Sequence, residues 1–207
     1  MDLTDPARAV FPAGTAAVVR VLTSADSTFS IRQLARLAGV SAPVAGDVVH
    51  RLVRQGLVLT EPVGNAIICR FNNEHLAARS IRELITLRSS LLALLRAEIS
   101  GWAIVSVHAS LFGSAARGDG DTESDLDLLV VRRDDLTAQE KSSWDDQLAA
   151  TGQRARIATG NPANWFDITR SDLSQAVEAA EPIVAQWRRD SIPLAGESLT
   201  ALIGLGA

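Results

Sequence analysis

The chain has 207 residues, enough for one medium domain or two small ones. It is 47% hydrophobic, so a sizeable core can form, but no apolar run reaches the length of a membrane span, and the single cysteine, Cys69, excludes an internal disulfide and argues against a cysteine metal site. Net charge is −4 and unevenly placed: residues 1–100 hold 11 Arg against 8 Asp and Glu, whereas residues 101–207 hold 9 Lys and Arg against 16 acids, a contrast that suggests two functional units.

Met1-Asp2-Leu3-Thr4-Asp5 is acidic and lacks the pattern of a signal peptide, so a cytoplasmic protein is expected. Residues 13–24 read as a helix with Ala16, Val18, Val19, Val21 and Leu22 on its apolar face. Phe29 begins a short extended piece, and Ser30 can cap a helix over Ile31–Ala38 that Gly39 ends. Ser41 caps a second helix, with Pro43 in its first turn, running to about Gln55 and stopped by Gly56. Leu57–Thr60 and Ala66–Phe71 read as two strands joined by the turn Glu61-Pro62-Val63-Gly64-Asn65. In the second strand Cys69 is expected to be a small buried hydrophobe.

Helix, glycine turn, helix and hairpin is the order of a winged helix-turn-helix. The stretches Ile31-Arg32-Gln33-Leu34-Ala35-Arg36-Leu37-Ala38-Gly39-Val40-Ser41 and Leu52-Val53-Arg54-Gln55-Gly56-Leu57-Val58 resemble the winged-helix domains of bacterial transcriptional regulators. That resemblance implies a second helix in the major groove of double-stranded DNA, with Arg32, Arg36, Ser41, His50, Arg51 and Arg54 as candidate contacts. Against it, the recognition helix opens on residues with little hydrogen-bonding capacity, Asp47 would repel phosphate, and the wing carries Glu61 without a cation. Protein contact is the alternative use of such a unit.

Asn73 can cap one long helix over about Glu74–Ser100, whose broad apolar face includes Leu76, Ile81, Leu84, Leu91, Leu95 and Ile99. Either it packs the two units or it forms a homodimer interface.

Ala103–Phe112 alternates as a strand, with Ser106, His108 and Ser110 on one face. His108 is expected to be a buried, hydrogen-bonded histidine. Phe112-Gly113-Ser114 ends the strand, and Ala115-Ala116-Arg117 opens a helical turn before the acidic loop Gly118–Glu123. Asp125–Val131 forms the next strand. Alternation puts Asp125 and Asp127 on one face and Leu126, Leu128 and Val130 on the other. Two carboxylates side by side repel unless a cation lies between them, and hard oxygen ligands suit Mg²⁺ or Mn²⁺. Backbone N–H groups and a hydroxyl at the Gly-Ser turn can meet phosphate. A helix is expected over about 137–159, then a strand Trp165–Thr169, a helix capped by Ser171-Asp172, another from Glu181-Pro182, and a last strand at Ile192–Leu194.

Phe112, Gly113-Ser114 and Asp-x-Asp at Asp125 and Asp127, about ten residues on, resemble the DNA polymerase beta-like nucleotidyltransferases, in particular their minimal branch, over roughly residues 100–195. The resemblance implies attack of a hydroxyl on the α-phosphorus of a nucleoside triphosphate, with metal at Asp125 and Asp127. It also implies a third carboxylate on a neighbouring strand, for which Asp167 is the candidate. Gly113, Ser114 and Arg117 would meet the triphosphate, although Arg117 could equally pair with Asp119 or Glu123.

The expected fold is α+β: a winged helix-turn-helix over 1–72, a connecting helix over 73–100, and a nucleotidyltransferase fold over 101–207 with a small mixed sheet flanked by helices. The expected function is metal-dependent nucleotidyl transfer to a hydroxyl acceptor, coupled to a winged helix that meets DNA or a separate protein acceptor. A DNA-binding regulator or antitoxin-like protein that only binds nucleotide is the alternative.

Overall fold

The computed structural model describes residues 1–64 and 66–204; Asn65, expected in the wing turn, lies outside the described residues. The architecture is α+β. The chain divides into two compact units, Asp5–Leu87 and Met1–Thr4 together with Arg88–Ala207. No helix among the described residues is long and apolar enough to cross a membrane.

The first unit opens with a 3-10 turn at Pro6–Ala9, followed by α1 (Ala13–Ser24), β1 (Phe29–Ser30), α2 (Ile31–Ala38) and α3 (Ala42–Arg54). A capping box starts α2: Ser30 Oγ accepts from Gln33 N while the Gln33 side chain accepts from Ser30 N. Gly39, at φ 66°, ends it in a left-handed turn that a side chain would strain. Ser41 caps α3 with Pro43 in the first turn. The hairpin β2 (Val58–Val63) and β3 (Ala66–Phe71) pairs antiparallel, and β1 adds to β3, giving the sheet order β1-β3-β2. Then comes α4 (Ala78–Ile85). Val18, Leu22, Leu34, Val48, Val58, Cys69 and Ile81 form the core. Cys69 is fully buried, and that burial pushes its thiol pKa up, as suits a small hydrophobe.

The single helix expected over 74–100 is two helices, α4 and α5 (Leu87–Ser100). Thr86, at φ −99° and ψ 15°, breaks the ladder. Its Oγ1 donates back to the carbonyls of Arg82 (3.0 Å) and Glu83 (3.2 Å), a local bond that competes with continued helix. Ile81 then belongs to the first core, and Leu91, Leu95 and Ile99 to the second. The separate connecting segment gives way to a boundary between Leu87 and Arg88. The apolar positions that suggested a homodimer are largely taken up inside each unit, although Leu76 stays fully exposed.

The second unit continues with β4 (His108–Phe112), α6 (Gly113–Arg117), β5 (Leu126–Arg132), α7 (Ala138–Thr159), β6 (Ala163–Thr169), α8 (Arg170–Glu178), α9 (Pro182–Asp190), β7 (Ile192–Gly196) and α10 (Leu199–Gly204). The sheet order is β6-β5-β4-β7, parallel between β5 and β6 and antiparallel elsewhere. The strand expected from Ala103 begins only at His108. Before it, Trp102 Nε1–H donates to Thr151 Oγ1 (2.9 Å) and Ile104 N–H to Gln147 Oε1 (2.8 Å), so this stretch is tied to α7. Thr169, not Ser171, caps α8, with Asp172 completing the box.

Both faces of the sheet are covered. Leu111, Leu126, Leu128 and Val130 pack with Trp144, Leu148 and Leu95 on one side. Phe112, Leu129 and Val131 pack with Leu173, Trp187 and Leu199 on the other. At the β7 edge, the Arg96 guanidinium donates to the Pro193 carbonyl at 3.1 and 3.3 Å.

Candidate active site

The site forms where β4 hands over to α6 beside the start of β5. Phe112 pairs with Asp127 across the antiparallel ladder, so Gly113 arrives next to that carboxylate. Gly113 has φ +71°, and a Cβ built on it would lie 2.4 Å from Asp127 Oδ2. Only glycine leaves this oxygen room. Asp127 is half-buried, and its Oδ1 accepts from Asn164 Nδ2 at 2.9 Å. Asp125 precedes β5 and is exposed. Leu126, the first residue of β5, is buried in the core on the opposite face from Asp127, and strand alternation carried one residue back would set Asp125 on the Asp127 side.

Ser114 is half-buried, and the following loop returns over it: a Cβ on Gly120 would come 3.2 Å from Ser114 Oγ. Arg117 is exposed. Of its two expected partners it takes Asp119, at 3.1 Å, and it adds Asp190 from the end of α9, at 2.8 Å. Arg189 holds the other oxygen of Asp190 at 2.8 Å. Arg189 and then Arg117 keep the Asp190 carboxyl below its ordinary pKa.

Asp167 is not part of this constellation. In the β5–β6 register Asp127 faces Asn164, while Asp167 pairs with Val130. Residues paired in register share a face, so Asp167 lies on the side of Leu128 and Val130, opposite the two aspartates. Its carboxylate is engaged by Arg132 Nε (3.2 Å), Lys141 Nζ (3.3 Å) and Trp144 Nε1–H (3.1 Å). The residue beside Asp127 is Asn164, which sequence reasoning passed over because strand register is a tertiary property. Its only signal was an amide at the start of an apolar strand. Among the described residues no group of three His, Cys, Asp or Glu side chains could hold a metal.

His108 is buried, as expected, with Nδ1 2.7 Å from the Glu197 carbonyl. In the first unit Arg32, Arg36, Ser41, His50, Arg51 and Arg54 are all exposed, the arginines and histidine on α2 and α3 and Ser41 at the α3 N-cap. Arg51 is not free, since its guanidinium donates to Thr15 Oγ1 at 3.0 Å.

Residues 98–172 match the family model of the nucleotidyltransferase domain. The matched stretch contains Gly113, Ser114, Asp125 and Asp127, and its similarity to that domain supports a transferase. No curated protein matches the chain. Among solved structures, a chain described as "Structure of TrmBL2, an archaeal chromatin protein, shows a novel mode of DNA binding" is 14% identical, over 86% of this chain and 72% of that one, with a TM-score of 0.30. A likeness at that level carries no argument.

Proposed function

We propose that the protein transfers a nucleoside monophosphate from a nucleoside triphosphate to a hydroxyl acceptor, with Mg²⁺ or Mn²⁺ held by Asp125 and Asp127. The observation that carries this reading is the Asp127 carboxylate lodged against Gly113, inside a segment that matches the nucleotidyltransferase domain. The donor set fits the ion, because Mg²⁺ is commonly held by one or two carboxylates completed by substrate phosphates. When bound, the ion would acidify the attacking hydroxyl and offset charge on the leaving oxygen.

The chain's own residues would orient and bind. Asn164 fixes Asp127 through its amide, and Gly113 leaves room for the carboxylate. Ser114 has a hydroxyl to offer a phosphate oxygen. Arg117 can do the same by exchanging Asp119 or Asp190 for phosphate. Calorimetry with Mg²⁺ and each triphosphate tests the site. Wild type should bind the pair, and Asp125→Asn/Asp127→Asn should not. Equal, metal-independent binding in both would remove the site.

One observation favours a second reading. The position beside Asp127 carries neutral Asn164 instead of a third acid. A smaller ligand charge weakens cation binding, which suits a domain that binds nucleotide as a regulatory signal without turnover. Mass spectrometry of candidate acceptors after incubation with Mg²⁺ and triphosphates separates the two, since only the transferase adds a nucleotide's mass.

For the first unit we propose a winged helix-turn-helix that contacts double-stranded DNA through Arg32, Arg36, Ser41, His50 and Arg54, with Arg51 reaching DNA only if it leaves Thr15. Its support is the order α1, α2, α3 and hairpin with these side chains exposed.

A further inference from the structure

Asp125 stands just outside the sheet: β5 begins at Leu126, and its first rungs lie at Leu126 toward β6 and Asp127 toward β4. It follows the acidic loop 118–124, which holds two glycines. A chain of that composition has wide conformational freedom unless something fixes it. Asp119, Asp121, Glu123, Asp125 and Asp127 come in close succession, so repulsion between carboxylates also works to spread the loop.

The backbone bonds on either side of Asp125 both end on Asn161-Pro162. Ser124 O accepts from Asn161 Nδ2 at 2.8 Å, and Leu126 N donates to Pro162 O at 2.8 Å. The same amide group also donates to Asp121 O at 3.2 Å, and Asn161 Oδ1 accepts from Met1 N at 2.6 Å. Asn161 is fully buried, directly after the Gly160 that ends α7. A side chain closed off from solvent touches no substrate, so whatever it does for the site it does through the loop. Asparagine suits the place, because its amide carries two protons and no charge. Between Asp121 and Ser124 the loop closes on itself: Asp121 Oδ1 accepts from Glu123 N and from Ser124 Oγ, each at 2.9 Å. Its other end is held separately, with Gly120 O accepting from Leu3 N (2.9 Å) and Thr4 N (3.2 Å).

We propose that Asn161 is the positioning residue of the candidate metal site. It anchors the loop so that Asp125 stands ready on the Asp127 side before a divalent cation and a triphosphate bind. The proposal rests on the nucleotidyl-transfer reading above. A carboxylate held in advance spares binding the cost of ordering the loop, and groups that orient metal ligands from behind commonly contribute about tenfold or more to affinity.

The test compares full-length variants. Asn161→Asp keeps the shape and removes both donors. Asn161→Ser has one proton against two and adds no buried charge, which provides a second variant if the first does not fold. Thr151→Val is the control, since it removes a different buried bond of the same unit, the one from Trp102 Nε1. Two quantities are read: hydrogen exchange of residues 118–126 in metal-free protein, and calorimetric affinity for Mn²⁺ with ATP, GTP, CTP or UTP. Metal-free wild type should protect Leu126 N–H, which donates to Pro162 O. In the Asn161 variants exchange over 118–126 should quicken, and affinity should fall, by about tenfold or more. Thr151→Val should lower the melting temperature and leave both quantities unchanged. Unprotected exchange over 118–126 in wild type, full affinity in a folded Asn161 variant, or an equal loss in Thr151→Val overturns the positioning role alone. A wild type that binds none of the four pairs removes the transfer reading, and the positioning role with it.

Discussion

Asp127 Oδ2 occupies the space where any residue other than glycine at 113 would carry its Cβ. The glycine of the Gly-Ser pair thus acts on the carboxylate directly, as well as on the turn. Gly113→Ala should therefore do two things. A left-handed backbone costs an alanine about 1–2 kcal/mol, and the methyl displaces the carboxylate. We expect a lower melting temperature and metal-dependent triphosphate binding weakened by about tenfold or more. A variant that loses stability but keeps full affinity would show that Asp127 has another productive position.

Asn164→Asp should strengthen the cation site. A carboxylate beside Asp127 adds ligand charge, so Mn²⁺ affinity should rise by about tenfold, measured by calorimetry. Without metal the two acids repel, and the melting temperature should fall below wild type until Mn²⁺ is added.

Asp167→Asn should leave that cation affinity unchanged. It should instead lower stability by about 1–3 kcal/mol in denaturant titrations, because Arg132 and Lys141 lose a charged partner. Loss of metal binding with stability intact would return Asp167 to the site.

Acid should weaken the second unit through His108. Its folded-state pKa is lowered, first by burial and in spite of the bond to Glu197. The unfolded chain therefore takes up this proton more readily, and the contribution is intact above the ordinary histidine range near pH 6.5 and declines as pH falls below it. His108→Gln should flatten the melting temperature between about pH 5 and 7 relative to wild type.

If the first unit meets DNA through phosphates, each arginine removed should lower the slope of log affinity against log salt by about one. Arg32→Ala, Arg36→Ala and Arg54→Ala are the exposed positions to try in gel-shift titrations. Salt-independent binding, or none by wild type, would turn this unit toward a protein partner.

Much of this was legible in sequence for local reasons. Ser30 with Gln33 and Gly39 bracket α2 within ten residues, and strand alternation alone puts Asp125 and Asp127 together. What escaped depends on register and distance. Asp167 stands on the wrong face only because β5 pairs with β6 as Asp127 with Asn164. Arg117 meets Asp190, 73 residues away, which no local pattern announces. Thr86 stops the long helix with an unremarkable sequence around it, and the Asn161 amide reaches back 37 and 40 residues to the loop before Asp125.

The β7 edge also bears on how this protein behaves at high concentration. An exposed strand edge invites a second chain to add to the sheet. Here Pro193 has no N–H to give, and its carbonyl is already taken by Arg96. An incoming strand would find neither donor nor ready acceptor at that rung. Replacing Pro193 and Arg96 together with residues of ordinary backbone chemistry would therefore open a seam for aggregation while leaving the Asp125–Asp127 face untouched.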